Sequence, residues 1–172
     1  FAASKAWTIS SDTTTQPTVY LKLKDAKGNT STIASAKTPV TPSNLAVIDT
    51  SNVGTVDYRV FLSWKMAGAG DTPAFSEYRV YRKAGSGSAY SGSGTFTLVS
   101  TIANRTINYF TNTDQDVSFP IVNGTQYDYF IVTKATDNSI SYRSNGICGI
   151  PNGGGDCSEG GGGDDNTAPT IV

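Results

Sequence analysis

Acid–base and nucleophilic catalysis most often begin with histidine, and this sequence contains none. Its absence removes every Ser–His and Cys–His arrangement and the usual nitrogen ligand of zinc. Two cysteines occur, Cys148 and Cys157, separated by GIPNGGGD. Without histidine they are too few for a structural zinc centre, so a local disulfide is expected, with free thiols as the other reading. Asp114 and Asp116 lie close together, and Asp164 and Asp165 adjoin Asn166. Paired carboxylates catalyse only in a shaped pocket that gives the two groups unlike environments. A polar loop and a Gly-rich spacer offer neither, so Asp114 and Asp116 read as solvated turn residues. Asp164, Asp165 and Asn166 are the candidates for calcium, because linker carboxylates and carbonyls suit a hard cation. No other metal or cofactor is expected.

The remaining chemistry-bearing features are weaker. GSGSAYSGSG is not followed by lysine and does not join a strand to a helix, so it reads as a flexible loop rather than a phosphate cradle. Tyr81, Tyr90, Phe130 and Tyr142 are aromatics that could stack on sugars, the plainer alternative being that they cover sheet faces. Asn29, Asn104 and Asn123 stand in glycosylation sequons, which recur by chance in so Thr-rich a chain.

The whole chain sharpens these exclusions. It has 172 residues, a formal net charge of −1 and no basic run, which argues against nucleic acid and against an anionic membrane surface. Its apolar runs are far too short to insert in a membrane as a helix. No initiator Met and no signal sequence opens it, so a processed or excerpted start is expected. A disulfide would imply an oxidising compartment, hence an extracellular or cell-surface protein.

The elements that must position these residues are strands. Helix formers are scarce, while Thr, Ser, Gly, Val, Ile and Tyr are plentiful, so an all-β fold is expected. Residues 1–37 hold PTVYLKLK and TSTIASA around DAKGN, a hairpin whose Gly28-Asn29 suits the positive φ of a tight turn. Two prolines mark residues 38–41 and the position after them as a linker. Residues 42–151 read as seven strands: NLAVID, DYRVFLSWKM, FSEYRVYRKA, FTLVSTIA, INYFTNT, QYDYFIVTKAT and SYRSNGICGI. Their number and spacing predict a β-sandwich. Residues 152–166 form a Gly-rich linker, and 167–172, TAPTIV, read as the first strand of a following or partner unit.

Within the sandwich, alternation assigns Leu62 and Trp64 to one face of the second strand and Tyr78 and Val80 to one face of the third. Tyr127, Tyr129, Ile131 and Ala135 share a face near the end. The order PSNLAV, VFLSW, YRVYRK, NGTQYDYFIVTKATD and SYRSN resembles the fibronectin type III domain over about residues 42–150. The resemblance implies that Trp64 packs between the sheets and that the Tyr127 hydroxyl, just past the Gly124-Thr125 turn, bonds back to the backbone as a tyrosine corner. The chain departs from that pattern in AGSGSAYSGSG and TDQDVSFP, insertions expected to lengthen edges only. Residues 1–37 and the final DNTAPTIV are similar to pieces of bacterial immunoglobulin-like repeats.

No catalytic constellation emerges. The expected function is that of a non-enzymatic extracellular structural and interaction module in a tandem-repeat surface protein, adhesin or filament. Its partners would be neighbouring domains or copies of itself. The alternative is an accessory, carbohydrate-contacting or spacer module of a secreted polysaccharide-degrading enzyme. In the first case Thr167, Ala168, Pro169, Thr170, Ile171 and Val172 would act as an assembly strand added to another unit.

Overall fold

The computed structural model describes residues 18–52, 54, 56–66, 74–85, 89–151 and 157. Among them the chain is built of nine strands: β1 (Thr18–Leu21), β2 (Ala34–Lys37), β3 (Ser43–Asp49), β4 (Arg59–Lys65), β5 (Phe75–Ala84), β6 (Thr97–Ile102), β7 (Tyr109–Thr113), β8 (Tyr127–Ala135) and β9 (Ile147–Gly149). β1 and β2 form a separate antiparallel hairpin. The other seven make two antiparallel sheets, ordered β3-β4-β7 and β6-β5-β8-β9. The expected all-β, seven-stranded sandwich with an N-terminal hairpin is what the chain forms.

Alternation places the core between the sheets. Leu45, Val60, Leu62, Trp64, Tyr78, Val80, Ile121, Tyr127, Tyr129 and Ile131 form one buried cluster. Trp64 packs edge-on to Tyr78 at 5.3 Å between ring centroids, and Phe75 meets Tyr78 in the same manner at 4.7 Å. Such edge contacts add to the burial of the rings. The prolines at and just after the expected linker lie against this body. Pro39 and Pro42 are buried, and Val40 packs against the core.

Register fixes the direction of the chain through the sandwich. Phe75 at the start of β5 pairs with Ala135, and Ala84 at its end pairs with Tyr127. β9 pairs with the beginning of β8, Gly149 opposite Tyr127, so the chain leaves at the pole where β5 ends. β3 runs the same way as β9. Leu45 exchanges both backbone bonds with the Asn145 amide, and an added Cβ on Gly149 would meet Val47. The chain therefore enters at one pole and leaves at the other. The ten residues of β5 give the distance between the poles as about 33 Å.

The last strand is shorter than its sequence suggests, and its serines explain why. Ser141 Oγ accepts from Thr133 N at 2.9 Å, and Ser144 Oγ accepts from Ile131 N at 3.0 Å. Hydroxyls take donors that a regular ladder would give to backbone carbonyls, so regular pairing is confined to Ile147–Gly149. The hairpin is shortened in the same way. Leu23 N donates to Ser31 Oγ at 3.0 Å, leaving only an isolated bridge, Lys24 to Thr30, beyond the ladder. Gly28 takes the positive φ of 91° expected of the turn, while Asn29 does not. The Asp25 carboxylate closes that turn by accepting from the backbone N–H groups of Lys27 and Asn29 and from the Asn29 amide.

Candidate functional site

β8 is the strand from which the candidate surfaces are built, and all but one of its nine residues are buried. Alternation alone predicts burial on one face. The second face is buried because the insertion between β5 and β6 lies across it. Ala89 O accepts from Gln126 Nε2 at 2.9 Å, and Ser91 N donates to Asp128 Oδ2 at 3.1 Å. Lys83 Nζ donates to Ser93 O, and Phe96 sits on Phe130 edge-to-face at 4.8 Å. The described part of this stretch, residues 89–96, is thus a strap over the sheet and not a free loop, which corrects the expectation of a flexible element that touches only the edges. The strap even meets bare backbone just before β9. An added Cβ at Gly146 would lie 1.9 Å from the Tyr90 ring.

Beneath the strap lies the charged pair that sequence reading missed. Lys83, Asp128 and Cys148 stand opposite one another across β5, β8 and β9. Asp128 is wholly buried, its Oδ2 lies 3.4 Å from Lys83 Nζ, and its Oδ1 accepts from Gln126 Nε2 at 2.8 Å. With an ammonium, a side-chain amide and a backbone N–H directed at it, the carboxylate is fully engaged. This arrangement holds a strap in place; it presents no free acid or base to a substrate.

The aromatics proposed for sugar stacking divide. Tyr81 stacks on Phe130 at 4.9 Å and, like Tyr90, is half-buried. Phe130 and Tyr142 are 4% and 5% exposed, which removes them as open platforms and corrects that reading. The Arg143 guanidinium lies 4.4 Å over the Phe130 ring.

A second polar cluster sits inside the sandwich. Arg82 Nη1 donates to Asn112 Oδ1 at 2.6 Å and to Phe119 O at 2.8 Å, while Asn112 Nδ2 also donates to Phe119 O at 3.1 Å. Tyr129 donates its hydroxyl hydrogen to Asn112 Oδ1 at 3.1 Å, and burial pushes its phenol well above the ordinary value. Phe119 belongs to the TDQDVSFP insertion, which therefore supplies a carbonyl to the interior and does more than lengthen an edge. Asp116 shapes that insertion by accepting from Ser118 N and Phe119 N, a turn role. The only sign of this cluster in the sequence is an Arg that shares the inward parity of Tyr78 and Val80 on β5.

Leu62, Trp64, Tyr78, Val80, Tyr127, Tyr129 and Ile131 all lie in the core. Val122 N donates to the Tyr127 hydroxyl oxygen at 2.9 Å, the geometry of a tyrosine corner. Cys148 and Cys157 are joined in a disulfide that tethers the chain beside Asp128 at the exit pole. Asp164, Asp165, Asn166 and the assembly strand Thr167–Val172 lie outside the described residues. Among the described residues no three His, Cys, Asp or Glu side chains gather as a metal site, and no helix is long and apolar enough to cross a membrane.

No protein-family model matches the chain, and no curated protein does. Solved structures similar to it include the third fibronectin III domain of human KIAA0343 protein, at 13% identity over 72% of this chain and 90% of that one, with a TM-score of 0.48. The twitchin kinase region from C. elegans aligns at 17% identity over 67% of this chain, with a TM-score of 0.47, and the match spans 17% of the twitchin chain. Pectate lyase Pel3 from Pectobacterium carotovorum aligns at 19% identity over 64% of this chain and 26% of that one, with a TM-score of 0.40. The chain's own strand order, its intersheet Trp64 and its Tyr127 corner are those of the fibronectin type III fold.

Proposed function

We propose that this chain is a non-enzymatic structural and interaction module of an extracellular tandem-repeat protein, adhesin or filament. The observation that carries this reading is the pairing of a rigid sandwich, entered and left at opposite poles, with an incomplete hairpin at its entrance. Opposite poles make the sandwich a spacer that strings units end to end. The hairpin has no described third strand, and Tyr20, Leu21, Leu23 and Ile33 are between 50% and 71% exposed. A two-stranded ribbon is marginal in water, so the hairpin is a site at which another strand adds. The disulfide agrees with an oxidising compartment.

The discriminating experiment is a glycan array on the purified chain, run beside a hydrolysis assay on plant and bacterial polysaccharides. Neither is expected to give a signal. Glycan retention that disappears in Tyr81→Ala would replace the spacer reading with that of a carbohydrate-contacting accessory module.

A further inference from the structure

We infer that the strap, residues 89–96, shields the Cys148–Cys157 disulfide, so that a dithiol reduces it only after the strap has lifted from the sheet. This device belongs to the fold and stands whatever the module contacts. Cys148 is 5% and Cys157 9% exposed, so neither residue is openly presented to solvent. Cys148 pairs directly with Asp128 across β9 and β8, which sets both side chains on the same face of the sheet. That is the face the strap crosses. Ser91 N donates to Asp128 Oδ2 at 3.1 Å, immediately opposite Cys148. The Tyr90 ring fills the space left by Gly146, two positions before Cys148. Gly92 O accepts from Arg143 Nη1 at 3.4 Å, a further tie to the segment that leads into β9. The strap is thus held beside Cys148 in two directions, across the ladder and along the chain.

Disulfide exchange needs access. One thiolate of the dithiol bonds to a cysteine sulfur, the S–S bond breaks, and the other cysteine leaves as a thiolate that takes up a proton. The second thiolate of the dithiol then displaces the bound cysteine, which also takes up a proton, and the reagent closes its own disulfide. The reagent must come within bonding distance of a sulfur, and the strap stands on the approach from the sheet face. None of the residues 89–96 belongs to a strand, and their ties are few, so the strap opens at lower cost than the sandwich unfolds. Anything that lifts it renders the disulfide reducible.

Reduction of the folded chain by dithiothreitol, followed by thiol labelling and intact mass beside denaturant melts of the same variants, tests this. Ser91→Pro removes the N–H that binds Asp128 and should speed reduction about tenfold or more, the factor set by losing one hydrogen bond to a charged group. Tyr90→Ala should act in the same direction. Ser91→Ala keeps that N–H and should leave the rate unchanged. Leu62→Ala weakens the core between the sheets and calibrates reduction through global unfolding. Both strap variants should be reduced faster than their melt losses account for on that calibration. Rates that follow the melt losses alone in every variant overturn the inference, because reduction then waits on global unfolding. Rates indifferent to both strap substitutions overturn it as well, because the reagent then reaches the sulfurs with the strap in place. Should Ser91→Pro fail to fold, Tyr90→Ala carries the same comparison.

Discussion

The single residues that can be followed most closely are those that hold the shape of the sandwich. Trp64, 3% exposed and lodged against Tyr78, fills the space between the sheets. Trp64→Ala should destabilise by about 3–5 kcal/mol, combining lost burial with the cavity left behind. A denaturant melt showing a loss within surface-mutation scatter would contradict the inward placement of this ring. Asp25 acts at the other extreme of exposure. Hydrogen bonds from the Asn29 side chain, then from the Asn29, Lys27 and Gly28 backbone, hold its carboxyl below the ordinary carboxylate value. A depressed folded value means that the stabilisation is present above the unfolded pKa and is lost as pH falls through the lower folded one. The turn of the hairpin should therefore loosen only in acid below the ordinary Asp range, read as a fall in the protection of the Asn29 and Lys27 amides relative to their intrinsic exchange rates at each pH. Asp25→Ala should show at neutral pH the low protection that the parent shows in acid.

At the scale of elements, the strap and β9 are coupled through one close contact. Tyr90 lies where Gly146 has no side chain, and its ring is the part that must move if a methyl group is added. Gly146→Ala should cost about 1–3 kcal/mol by overpacking and expose the Tyr90 ring to solvent. Tyr90→Ala in the same chain should recover part of that loss, so the double mutant should be less destabilised than the two single costs combined. Strict additivity in chemical melts would show that the strap does not bear on β9. The buried Lys83–Asp128 pair gives the element a second anchor. Lys83→Met leaves the carboxylate buried without its cation and should cost about 3–5 kcal/mol, whereas exposed ion pairs rarely cost more than about 1.

For the whole molecule, the disulfide pins Cys157 beside the last strand. Closing the short loop between Cys148 and Cys157 stabilises by about 2–3 kcal/mol on the chain-entropy estimate. Reduction should lower the melting midpoint accordingly, and the intact mass under oxidising conditions should be two hydrogens below that of the reduced chain.

Much of this architecture was legible in one dimension because strand period, turn chemistry and aromatic position are local. Residues 75–84 announce β5 by alternation, Asn123-Gly124 announces the turn, and Tyr127 just beyond it announces the corner. Alternation could say which face of β8 is inward, yet not that its other face is also covered. Covering it required residues 89–96, a Gly- and Ser-rich stretch with no periodicity, to find Asp128 some thirty-seven positions away in sequence. The same holds for Arg82, whose partners Asn112 and Phe119 come from another sheet and from an insertion. Sequence determined the strands and the inward faces because each is a property of neighbouring residues. Only the tertiary structure decided which loops became walls and which charges were buried, because those depend on groups that meet after the chain has closed over itself.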